Sequence, residues 1–139
     1  MIISAMLAKL HDGTLDSTLL HLYGEHRLDQ QKQRYEKILQ EGISRFGDVE
    51  AILVSAPGRT EVGGNHTDHQ LGRVLAASID LDALAVVVPT DDNTVSYAAD
   101  AFAVAPVVLD DLAIRSSEVN TSAALIRGIA DGLKKKGYA

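Results

Sequence analysis

Arg59, Asn65, His66, Thr67, Asp68 and His69 fall within eleven residues of a 139-residue chain, in a stretch punctuated by Pro57, Gly58, Gly63, Gly64 and Gly72. Glycine lets the backbone reach positive φ and approach a ligand closely. The side chains add one permanent positive charge, one carboxylate and several neutral donors and acceptors. A small polar ligand suits such a set. Arg59 can face a phosphoryl group with two parallel donors. Asp68 can accept from two vicinal hydroxyls, and charge-assisted hydrogen bonds of this kind contribute about 1.5–3 kcal/mol each. His66 can donate or accept toward a further hydroxyl.

Two other readings of the same residues stand beside this one. His66, Asp68 and His69 could ligate zinc and activate water for hydrolysis, although no further acidic or histidine cluster with ligand spacing lies nearby. Alternatively the stretch is a glycine-rich hairpin whose polar groups satisfy one another, with Arg59 paired to Glu61.

A binding segment needs rigid support on both sides. Val49–Val54 reads as a strand that enters the stretch 55–72, and the apolar run 74–79 leaves it. Upstream, Met1–Gly13 and Thr14–Gly24 read as two short amphipathic helices, with Leu15, Leu19, Leu22 and Tyr23 on a shared face. Tyr35, Ile38, Leu39, Ile43 and Phe46 recur at helical spacing between Asp29 and Phe46, and Gly47 ends that helix. His11, His21 and His26 have irregular spacing and receive no role.

Downstream, Leu81–Pro89 is apolar enough for a strand covered on both faces. A turn at Asp91-Asp92-Asn93 then leads to a returning strand, Thr94–Ala98, which makes a hairpin. Phe102–Leu109 is extended, with Pro106 at an edge or bulge, and 110–120 reads as loop. Asn120 or Thr121 caps a last helix, Gly137 ends it, and Leu125, Ile126, Ile129 and Leu133 form a stripe assigned to the core. Strands followed by helices, without strict alternation, predict an α+β fold built on a mixed or antiparallel sheet with packed helices.

Composition narrows the partners. The formal charge of −6 disfavours a nucleic-acid or anionic-membrane surface. There is no cysteine, hence no disulfide or thiolate metal site. The first residues lack the basic region of a signal peptide, and no apolar run approaches the ~20 residues of a membrane span, so a cytoplasmic protein is expected.

The segment Pro57–Gly72 resembles the galactokinase signature of the GHMP small-molecule kinases. Pro57, Gly58, Arg59, Gly64, His66, Thr67, Asp68 and Gly72 match in register without a gap. The likeness extends from about residue 30 to the end, through Arg45-Phe46-Gly47, Ile79-Asp80-Leu81-Asp82 and the run 121–128. It implies the N-terminal part of a GHMP-kinase-like domain over 29–139, preceded by a helical segment over 1–28. It implies galactokinase activity as well, with transfer of the ATP γ-phosphate to the C1 hydroxyl of galactose. Arg59 would stabilise the transition state, and Asn65, His66, Thr67 and Asp68 would bind the sugar.

Departures are also visible. Asn65 stands where the family more often has a glutamate, His69 replaces tyrosine and Glu61 replaces asparagine, so the preferred hydroxyl pattern can differ. The second glycine- and serine-rich loop that wraps ATP phosphates, and the catalytic aspartate, have no counterpart in the sequence. The resemblance therefore implies an N-terminal fragment, inactive alone, with the sites for ATP and Mg²⁺ mainly elsewhere. Strand edges left open would invite self-association. Galactokinase-like proteins also include non-catalytic sugar-binding regulators, which remain an alternative.

Overall fold

The computed structural model describes residues 1–64, 71–99 and 102–138, which form two compact units, Met1–Pro89 and Thr90–Ala139. Helices and antiparallel strands occur together, as the α+β expectation requires.

The first unit begins with α1 (Ile3–His11), α2 (Asp16–Tyr23) and α3 (Leu28–Phe46), with a short 3₁₀ turn at Glu25–Arg27 before α3. The amphipathic reading holds for all three helices, except that Leu22, expected on the shared face of α2, is exposed. Ile3, Met6 and Leu10 of α1, Leu19 and Tyr23 of α2, and Tyr35 and Leu39 of α3 make one buried core together with Ala51. Phe46 departs from the predicted stripe and is exposed. Its helix face already meets its neighbour one turn earlier at Gly42, where an added Cβ would lie 3.3 Å from Val86 Cγ1 and 3.4 Å from Ile3 Cδ1.

The N-terminus of α1 is capped from a distance. Asp48 accepts from the Ser4 amide at 2.8 Å and from the Ser4 hydroxyl at 2.6 Å, which satisfies a donor that the first helical turn leaves open. Main-chain bonds from Ile3 to Val49 and from Ala51 to Met1 fasten the same end of the chain beside the start of the first strand.

Two long strands, β1 (Ile52–Gly63) and β2 (Leu75–Val87), pair antiparallel as a two-stranded ribbon. Ser55–Gly63 thus belongs to a strand, which corrects the reading of 55–72 as one loop. The 2-residue period explains the ribbon's two faces. Leu53, Leu84 and Val86 point to the helices and pack on the core, whereas Ile52, Val54 and Val87 lie on the opposite, exposed face. The expectation of a strand covered on both sides is therefore not met, because helices cover one face only.

Gly64 leaves β1 with φ 92°. A Cβ there would collide with the Arg73 carbonyl oxygen, so glycine is required on two independent grounds.

The second unit holds four two-residue strands, β3 (Thr94–Val95), β4 (Ala98–Ala99), β5 (Phe102–Ala103) and β6 (Val107–Val108), then α4 (Ser122–Lys135). β3 pairs with β6 and β4 with β5. The expected hairpin between 81–89 and 94–98 does not form: β2 pairs with β1, and β3 pairs with β6. Thr121 caps α4 by accepting from the Ala124 amide at 3.3 Å. At the other end Gly137 has φ 82°, and bonds from Gly137 to Lys134 and from Tyr138 to Leu133 complete a Schellman stop.

The apolar stripe of α4 is not core. Leu125 is 65% exposed, and Ile129 and Leu133 are exposed too. The helix instead turns Arg127 inward, where its guanidinium donates to the carbonyls of Val108 at 2.5 Å and Asp111 at 2.7 Å and to Glu118 at 2.9 Å. Carbonyls at the ends of very short strands need donors, and an arginine supplies several at once. Among the described residues no helix is long and apolar enough to cross a membrane.

Truncation tests the first core directly. Leu39→Ala should destabilise the first unit by about 2–5 kcal/mol, and Gly64→Ala should lower the urea midpoint while leaving far-ultraviolet helicity intact. Unchanged midpoints in both variants would contradict the packing described.

Candidate functional site

The ribbon carries the chemistry, and its register decides where each group stands. From Ile52↔Val87 to Pro57↔Asp82 the pairing is continuous, but the next pair is Arg59↔Ser78. Across that interval β1 contributes only Gly58, while β2 contributes Ile79, Asp80 and Leu81, so β2 bulges opposite Gly58. Two local features favour the break. Pro57 has no N–H to give to the ladder. Gly58 has no side chain, and a Cβ there would lie 3.1 Å from the Leu81 carbonyl oxygen and 3.2 Å from Ile79 Cδ1.

Arg59 comes directly after this irregularity. It is exposed, and no hydrogen bond or ion pair engages its guanidinium among the described residues, so the expected alternative of a pair with Glu61 is not formed. Across the ladder it faces Ser78, which lines a cleft of about 520 Å³ together with His21, Tyr23, Ser55, Pro57 and Asp82. Side chains directly opposite on an antiparallel pair share a face. Arg59 therefore shares a ribbon face with one wall of the cleft.

Asn65, His66, Thr67, Asp68 and His69 lie outside the described residues, and so does the zinc alternative that involved three of them. Among the described residues no group of histidines and carboxylates suits a metal ion. Gly64, just past β1, and Leu71, before β2, bracket the undescribed stretch, and the two strands pair with each other up to Gly63↔Leu75.

The most highly bonded polar group of the unit is Asp82, which was not singled out from the sequence. Its side chain is 3% exposed. One carboxylate oxygen accepts from the Tyr23 hydroxyl at 2.7 Å and the Ser55 hydroxyl at 2.5 Å, and the other accepts from Arg34 Nη1 at 2.5 Å. Arg34 Nη2 also donates to the Asp82 carbonyl at 2.9 Å. Because Tyr23 gives its proton to the carboxylate, the Tyr35 hydroxyl, 3.0 Å away, donates to Tyr23 in turn. Buried Gln31 accepts from Arg34 at 3.2 Å.

The electrostatics follow from these contacts. Burial alone would raise the Asp82 pKa, but the hydrogen bonds from Ser55, Tyr23 and Arg34 outweigh it and hold the carboxyl below the usual range. Burial, aided by the bond to Tyr23, pushes the Tyr35 phenol well above its ordinary value. The signal for Asp82 was present in the sequence as two aspartates, Asp80 and Asp82, inside an otherwise apolar strand. A charge at such a position requires partners.

The long bulged ribbon, whose Arg59 has no partner among the described residues, coincides with a family match. Residues 43–89 match the galactokinase galactose-binding signature, from the last turn of α3 through β1 and β2. Over this segment the chain is galactokinase-like. No solved structure matches the chain.

Asp82 sets a pH dependence with a definite sign. Its pKa is lower in the folded than in the unfolded chain, so the stability it contributes is complete above the ordinary aspartate range and is lost as pH falls through the folded value. Urea midpoints should therefore fall between about pH 5 and pH 3 more steeply in the native protein than in Asp82→Asn. Parallel curves for the two proteins would refute the assignment.

Proposed function

We propose that this chain binds galactose through the segment that joins β1 to β2 as part of a galactokinase, which transfers the ATP γ-phosphoryl group to the C1 hydroxyl, and that the chain alone does not turn over. The observation that carries the reading is the signature match over 43–89, which contains Arg59 and the stretch Asn65–Asp68. The geometry of Arg59 supports it. A guanidinium with no partner among the described residues remains available for an anionic group. Phosphoryl transfer depends mainly on positioning and on offsetting charge that spreads over the transferring oxygens.

In this reading Asp68 and His66 hold sugar hydroxyls, and Asn65 and Thr67 complete the polar contact. The nucleotide brings Mg²⁺ with it and supplies the phosphoryl group. The sugar's C1 oxygen forms the new bond to phosphorus, the bond from phosphorus to the ADP oxygen breaks, and the hydroxyl proton passes to a general base of the intact enzyme. Asn65 keeps an acceptor and adds a donor where a carboxylate would only accept, so it bears on which epimer is preferred.

Calorimetric titration of the intact enzyme with galactose, glucose and other epimers, run beside its ATP-dependent phosphorylation assay, tests both halves. Arg59→Ala should lower turnover on the order of a hundredfold or more with galactose affinity nearly unchanged. Asp68→Asn should weaken galactose binding by roughly ten- to a hundredfold. Equal losses of turnover and affinity in Arg59→Ala would sink its assignment. Galactose binding without phosphorylation would turn the protein into a non-catalytic sugar binder.

A further inference from the structure

The β2 bulge opposite Gly58 has an aspartate at its centre and another at its end, and each is held in the same way from the helical segment. Arg27 donates to the Asp80 carboxylate at 2.7 Å and to the Asp80 carbonyl at 3.2 Å. Arg34 donates to the Asp82 carboxylate at 2.5 Å and to the Asp82 carbonyl at 2.9 Å. In both cases one guanidinium fixes the side chain and the main chain of the same residue. A surface ion pair contributes little and fixes no backbone, but a guanidinium that also engages the carbonyl restrains the peptide unit itself; Arg34 does so with both terminal nitrogens and Arg27 with Nη1 alone.

Both arginines lie before residue 43, outside the matched signature. Both aspartates lie inside it. Gly58 fits against Leu81 between the two held residues, and Arg59 comes next in β1. The ladder has no amide from Pro57 to fix this point, so the irregular register there must be stabilised by something else. The Ser55–Asp82 bond crosses the two strands on one side of the break, and the two arginines hold β2.

We infer that Arg27 and Arg34 form a clamp on Asp80 and Asp82 that sets the bulge and thereby aims Arg59, so that these residues outside the signature are positioning residues for the phosphoryl-transfer site. The inference rests on the role of Arg59 proposed above. The clamp couples the helices to the ribbon, and its effect on chemistry passes through one backbone irregularity.

The test combines a structural readout on this chain with a kinetic readout on the intact enzyme. Hydrogen exchange is measured at residues 58–61 and 78–82 in the native protein, in Asp82→Asn and in Arg27→Gln. Arg27 pairs with the half-exposed Asp80 rather than with buried Asp82, so Arg27→Gln should fold even if loss of the Asp82 charge does not permit folding. Exchange at these residues should rise by about tenfold while amides around Leu39 keep their protection. A uniform rise across the unit, or no change at 58–61, would overturn the clamp.

In the assay with galactose and ATP, Arg27→Gln should lower kcat several-fold with the KM for galactose unchanged. Added to Arg59→Ala, it should have little further effect, because the two act on one step. Full additivity would show that the clamp does not act through Arg59. If the intact enzyme phosphorylates no sugar, the kinase reading fails, and the exchange pattern still decides whether the clamp sets the bulge.

Discussion

The Asp82 carboxylate is the constraint on which the first unit turns. It is the point where α2, α3, β1 and β2 meet through side chains, since Tyr23, Arg34 and Ser55 all donate to it. Removing a charge from water is costly, and only dense hydrogen bonding makes this burial tolerable. Three donors converge from three elements, with Tyr23 and Ser55 sharing one carboxylate oxygen and Arg34 alone on the other. Apolar burial around Ile3, Leu19 and Leu39 drives the helices together, but it is not directional. The carboxylate supplies direction, because it fixes which residue of β2 stands opposite Pro57.

From that point the ribbon changes character. On the near side it is a regular amphipathic ladder, with Leu53, Leu84 and Val86 against the helices. On the far side it bulges, presents an exposed Arg59 and runs on to Gly64, whose backbone only glycine accommodates. The anchored half does the folding and leaves the other half free for polar work. This division agrees with a signature match that starts in α3 and ends just past β2.

Much of this was legible in the sequence, and the failures have physical causes. The three helices were readable because Leu19, Tyr23, Tyr35 and Leu39 repeat at helical spacing and glycines close α2 and α3. Gly64 and Arg59 stood out through residue type and spacing. The extent of β1 did not, since Pro57, Gly58 and Gly63 are loop formers by propensity and are kept in a strand by pairing with β2. The stripe on α4 misled because periodicity reports an amphipathic helix but not which side is covered, and Arg127 takes the inner side through carbonyls that no pattern reveals. Asp82 was overlooked for a related reason: its partners come from up to 59 residues away in the chain. Such a convergence is a property of the folded contacts alone.

Gly42 sets a dimension that nothing else in the unit controls. With only a hydrogen atom on that side of α3, Val86 of the ribbon and Ile3 of α1 both close onto the helix backbone. The thickness of the two-layer arrangement is thus fixed by the smallest possible spacer. A side chain there would press on Val86 and Ile3, which would have to give by a few tenths of an ångström to admit even a methyl group.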